Sequence, residues 1–157
     1  MNRLMHGMAM AQEIDFHINV DDAVLYACRV TRKALRLKMT VGVYCDDPAT
    51  LDDFARRLWA FDATGFYPHV AATDPLASQT PVVFSGNAPE LFGRDMLVSL
   101  AASPIDNQDL IANGVKRVID IVTNDESQKA LARRRFKYYR EAGFTPVARN
   151  TTESRTA

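Results

Sequence analysis

Strand-like and helix-like segments take turns along this chain, and that alternation leaves few architectures open. Residues 13–19 (EIDFHIN) alternate apolar and polar side chains, the period of a strand. Asp21 and Asp22 offer a cap to a helix running to about Leu37, with Val24, Leu25, Cys28, Ala34 and Leu35 near helical spacing. Residues 40–45 (TVGVYC) are β-rich and of strand length. Asp46, Asp47 and Pro48 then supply a cap and a first-turn proline for a second helix reaching about Phe61. Residues 62–80, with Gly65, Pro68 and Pro75, read as loop. Further strands are expected at 81–85 (PVVFS), 96–101 (MLVSLA) and 117–123 (RVIDIVT), while 103–114 is either loop or a short helix. A last helix opens at residues 124–127 and stops at Gly143, and 144–148 can add a short closing segment.

Strands joined through helices pair in parallel, with the helices packed on both faces. The expected fold is therefore α/β: a single three-layer domain, its mostly parallel sheet flanked by helices. A chain of 157 residues buries roughly two-thirds of its unfolded surface, enough for one core. The expected division is an extension at 1–11, marked off by a second Met-Ala start at Met10, a domain over 12–148 and a polar tail over 149–157. The extension lacks the apolar stretch of a signal peptide, and no apolar run approaches the roughly 18 residues of a membrane span. Cys28 and Cys45 lie in apolar segments without a CxxC partner, which reads as two reduced, buried thiols in a cytoplasmic protein.

The usual chemical motifs of such folds are missing. There is no GxGxxG and no Walker A loop. The turn after the first strand, residues 19–22, has no glycine and carries two carboxylates, which repel phosphate from that helix N-terminus. Asp15 and His17 are two apart on a strand and share a face, so they are either an acid–base or metal pair or a hydrogen-bonded, partly buried histidine with its neighbour. No serine or cysteine has a recognisable base. No catalytic residue, metal ligand or cofactor is assigned. Elimination favours a binding module, with a small nucleotide- or metal-dependent enzyme using Asp15 and His17 as the alternative.

The last helix carries the clearest local signal. Six of the seventeen residues in 126–142 (ESQKALARRRFKYYREA) are Lys or Arg, in a chain whose 19 basic and 19 acidic residues cancel. Placed at about 100° per residue, Lys129, Arg133, Phe136, Lys137 and Arg140 share one arc. Leu131, Tyr138, Tyr139 and Ala142 fall opposite and face the sheet, with Arg135 among them burying only its stem. The stripe is a solvated helix face, a nucleic-acid contact, or a site for an acidic peptide with an apolar anchor. In the last case Arg133 or Lys137 holds a carboxylate beside Phe136. Zero net charge and a single aromatic weigh against nucleic acid. Trp59, Phe61, Phe66, Tyr67 and His69 crowd a helix end and loop, as core or as a protein-binding patch.

An ordered set of segments then gives a resemblance: IDFHIN, YACRVTRKA, DDPATLDDFARRLWAF, FYPH, DMLVSL, VIDIV and LARRRFKYYREAGF. In this order and spacing, from about Ile14 to Phe144, the chain resembles the chi subunit family of bacterial DNA polymerase III. The resemblance implies an α/β fold with a nucleotide-binding-like topology and a non-catalytic accessory protein of the clamp-loader assembly. It implies binding to the psi subunit and to the acidic C-terminal tail of single-stranded DNA-binding protein, so that DNA is met only indirectly. Carried over by position, the tail site comprises Val122, Lys129, Arg133, Phe136 and Lys137. Arg133 and Lys137 pair with carboxylates, Lys129 steers acidic residues upstream, and Phe136 and Val122 hold the terminal ring. Phe136 stands where the family pattern has a tyrosine, so a hydroxyl contact is lost. Trp59 and Phe66 belong, by the same resemblance, to the surface that meets psi and, in some bacteria, an accessory helicase. Residues 1–11 and those after Ala148 receive no role.

Overall fold

Aspartates start each of the long helices. In the computed structural model, which describes residues 13–106 and 116–152, Asp22 accepts from the Leu25 amide and opens α1 (Ala23–Arg36). Asp47 accepts from the Ala49 amide, with Pro48 in the first turn of α2 (Pro48–Ala60). Asp125 accepts from the Gln128 amide and opens α3 (Glu126–Glu141). In each case the side chain satisfies an amide that the first helical turn leaves without a partner. Gly143, at φ 103°, ends α3 in the left-handed region that glycine tolerates.

The strands are β1 (Glu13–Val20), β2 (Val41–Tyr44), β3 (His69–Ala71), β4 (Val82–Ser85), β5 (Met96–Ser99), β6 (Arg117–Thr123) and β7 (Val147–Asn150). They form one seven-stranded sheet in the order β3-β4-β2-β5-β6-β1-β7, with every pairing parallel. Strand alternation divides the core in two. Val41, Val43, Val98, Ile119 and Ile121 pack against Ala27, Cys28, Leu51, Phe54 and Leu58 of α1 and α2. On the other face Phe16, Val83, Leu97, Val118 and Val122 pack against Ala132 and Tyr139 of α3 and Leu91 of a short 3-10 turn. The fold is thus the three-layer α/β arrangement the alternation dictates. Asp22 and Arg57 (2.7 Å) tie α1 to α2.

Two elements differ from the sequence reading. The stretch expected to be loop contains β3, a three-residue edge strand paired with β4. Such a strand is too short for periodicity to register. The closing segment is β7, which runs on to Asn150 beside β1. Behind it the buried Thr151 hydroxyl lies within hydrogen-bonding distance of the Ile18 and Asn19 carbonyls. The extension at 1–11 lies outside the described residues, as do most of 103–114 and the last five residues of the polar tail. No helix among the described residues is long and apolar enough to cross a membrane.

Candidate functional site

The position of α3 is set by an arginine turned inward. Asp120 of β6 and Arg135 of α3 are both buried, at 1% and 3% exposure. Arg135 Nε donates to one Asp120 oxygen and Nη2 to the other, each at 2.8 Å, while Nη1 donates to the Ala102 carbonyl at 3.0 Å. The sequence reading buried only the stem of Arg135. The whole side chain goes in because Asp120, flanked in its strand by Val118, Ile119, Ile121 and Val122, presents a carboxylate to its two-pronged guanidinium. One turn on, the Tyr139 hydroxyl accepts from the Ile105 amide at 2.7 Å. Of the residues assigned to the sheet side, Tyr139 is fully buried, whereas Leu131, Tyr138 and Ala142 are only partly covered.

With that side fixed, the basic side of α3 faces the β1–β7 end of the sheet across a groove of about 550 Å³. Lys129, Arg133, Phe136, Lys137, Arg140 and Glu141 form its helical wall. Phe16 and Ile18 of β1, Val122 of β6 and Ala132 make an apolar floor, and Asn19 and Ala148 complete the lining. Phe136 is half-buried and leans on Phe16, ring centroids 5.2 Å apart. Val122, Lys129, Arg133, Phe136 and Lys137, singled out from the sequence, therefore all line one cavity. Sequence reasoning missed Phe16, Ile18 and Ala148. The alternation of β1 already put Phe16 and Ile18 on one face, but only the strand order brings β7 beside them.

The cations of this wall are not equivalent. Lys129 Nζ lies 3.4 Å from Glu126 and Lys137 Nζ 3.9 Å from Glu141, both solvent-exposed pairs. Such pairs are worth about 0–1 kcal/mol and yield readily to another anion. An apolar floor beside a cationic wall suits a ligand with carboxylates flanking an apolar side chain.

Trp59 and Phe66 form a second surface. They are 53% and 69% exposed, with ring centroids 5.3 Å apart. Trp59 also covers His69 of β3 at 4.3 Å. The His69 ring nitrogens lie 2.6 Å from the Tyr67 carbonyl and 2.8 Å from that of Ala55, so the ring fastens α2 to the loop. Phe61 and Tyr67 are partly buried, which leaves Trp59 and Phe66 as the exposed pair of the aromatic cluster. β3 and β7 are opposite ends of the strand order, so the patch and the groove are separate.

Asp15 and His17 have separate partners. The buried Asp15 carboxylate takes Arg117 at 2.9 Å and Arg149 at 3.4 Å. His17 Nδ1 shares a short hydrogen bond with the Tyr26 hydroxyl. Burial, aided by the positive charges of Arg117 and Arg149 and opposed by Asp15, pulls the His17 imidazole down to about 4. No cluster of three or more metal-ligating side chains occurs among the described residues. Cys28 and Cys45 are buried free thiols, and burial pushes both up, Cys28 to about 11, away from reactive thiolate character.

Comparison with known proteins covers most of the chain. Residues 10–147 match the family described as DNA polymerase III chi subunit, HolC. The DNA polymerase III subunit chi of Pseudomonas aeruginosa is 31% identical over 118 residues, 75% of this chain and 79% of that protein. Its Escherichia coli counterpart is 32% identical over 118 residues, 74% and 78% respectively. Among solved structures, the C-terminal domain of the DEAD-box protein Dbp5 superposes with a TM-score of 0.58 over 90% of this chain and 91% of that one. At 13% identity it shows a common fold alone.

Proposed function

This chain belongs to the DNA polymerase III chi subunit family, and we propose that it works there as a non-catalytic adaptor. It captures the acidic C-terminal tail of single-stranded DNA-binding protein in the groove beneath α3. Through Trp59 and Phe66 it meets the psi subunit of the clamp loader or, in some bacteria, an accessory helicase. Its place is the cytoplasm, and it reaches DNA through its partners.

The observation that carries the tail reading is the groove itself. Four cations and the half-buried Phe136 stand along one wall above a floor of Phe16, Ile18, Val122 and Ala132. A peptide ending in an apolar residue with a free carboxylate meets that combination at every point. Its ring covers the floor, worth about 1.5–3 kcal/mol if fully buried. Its carboxylates pair with Arg133 and Lys137, Lys129 draws in acidic residues upstream, and Val122 and Phe136 hold the ring. Contacts this few and this exposed give a weak, salt-sensitive complex. Several tails on one oligomer raise the effective affinity without new contacts.

The test is a fluorescence-anisotropy titration with a labelled acidic tail peptide at low and moderate salt. Binding is expected to weaken with salt, with amidation of the terminus, with loss of the terminal Phe, and in Arg133→Ala protein. A well-folded protein that ignores the intact tail refutes the mechanism. Equal binding of bare single-stranded DNA refutes the adaptor role.

A further inference from the structure

The groove holds an arginine to which the tail reading gives no role, and its placement deepens that reading, on which this inference rests. Two of the four wall cations are already engaged, Lys129 by Glu126 and Lys137 by Glu141. Arg133 and Arg140 have no carboxylate partner among the described residues, and both line the groove. They are seven residues apart, two turns of α3, which is about 10.5 Å of rise with about 20° of rotation. Phe136 stands between them on the same wall, over Phe16.

We propose that Arg140 is a second carboxylate anchor and that the groove measures the spacing of two carboxylates. Its occupant is an acidic peptide with its terminal carboxylate at Arg133, a side-chain carboxylate at Arg140 and its terminal apolar side chain against Phe136, which stands between the two arginines. About 10 Å is three residues of extended chain at about 3.3 Å each, so the preferred partner carries carboxylates three positions apart. Glu141 is the internal competitor: it holds Lys137 while the groove is empty and disfavours a carboxylate that arrives at the wrong spacing. Two arginines at a fixed separation read a pattern, whereas a diffuse basic stripe reads only net charge.

The experiment is an amide NMR titration, which follows binding into the millimolar range. The probes are short peptides with a free C-terminal Phe carboxylate and a single Asp either adjacent to that Phe or three residues before it, with alanine elsewhere. The peptide with the three-residue spacing is expected to bind several-fold more tightly. Arg140→Gln is expected to remove that preference and weaken the spaced peptide roughly tenfold, the scale of one charge-assisted contact at an exposed site. Glu141→Gln is expected to tighten the adjacent-Asp peptide more than the spaced one. Arg133→Gln weakens both peptides. Arg140 is exposed, so the Arg140→Gln urea midpoint should match that of the parent, which separates lost contacts from lost fold. If both peptides bind, Arg133→Gln weakens them and Arg140→Gln changes nothing, the spacing proposal fails while the tail reading stands. If neither peptide binds, both fail.

Discussion

Replacing Arg135 with Met should destabilise this protein more than any change on the exposed face of α3. The substitution keeps an unbranched side chain of similar reach and removes three donors. Asp120, at 1% exposure, then loses both 2.8 Å hydrogen bonds, and the Ala102 carbonyl loses a third. A carboxylate left buried without its partner costs about 3–5 kcal/mol. A domain of this size has about 5–15 kcal/mol in total, so the loss takes a third or more of it in most of that range. At about 2–4 °C per kcal/mol, the melting temperature should fall by roughly 6–20 °C. The pair itself is not the source of that stability. Asp120→Leu combined with Arg135→Met removes both charges and should recover most of the loss, because Ala102 is exposed and its carbonyl can turn to water. Urea denaturation followed by circular dichroism at 222 nm measures all three proteins. A single variant within about 1 kcal/mol of the parent, or a double variant as unstable as the single one, refutes the reasoning.

Two further outcomes can be measured in the same assay. The unfolded chain takes up a proton at His17 near its ordinary 6.5, whereas the folded protein resists until about 4. The unfolded state therefore binds more protons in that window, and stability should fall as pH drops from about 6.5 to about 4. The contribution should be about 1–2 kcal/mol, roughly half the full worth of the shift because the ring is only partly buried. His17→Gln should flatten that slope, and an unchanged slope would assign the acid sensitivity elsewhere. At Gly42 an added Cβ meets Leu97 Cδ2 at 2.9 Å and Leu91 Cβ at 3.0 Å, both leucines fully buried. Gly42→Ala should cost about 1–3 kcal/mol by overpacking, and a neutral result would mean that this core layer shifts freely.

What the sequence discloses and what it hides divide along physical lines. The caps at Asp22, Asp47 and Asp125 and the basic stripe of α3 are local signals, set by neighbours within a few turns, and they are legible in the sequence. β3 is not, because His69–Ala71 is shorter than any period it could show and follows Pro68. β7 is legible only as a short closing segment, because its partner β1 lies some 130 residues away and its own side chains are mostly exposed. The groove shares that limit: its helical wall can be read from residues 129–141, but its floor needs Phe16 and Ile18 from the far end of the chain. Arg135 joins the two cases. The helical wheel turns it toward the sheet, yet its full burial depends on Asp120, fifteen residues earlier. The signal was present in RVIDIVT, where a lone aspartate shares the strand face of Val118 and Val122. That buried pair is also what makes the outer face useful. With Arg135 bound to Asp120 of β6, rotation of α3 about its axis is opposed, and Arg133 and Arg140 stay on the groove side. A helix seated only by apolar contacts would present the same charges at the same spacing, but could turn them away from the groove. The helix gives Arg133 and Arg140 their spacing, and the inward arginine gives them their direction.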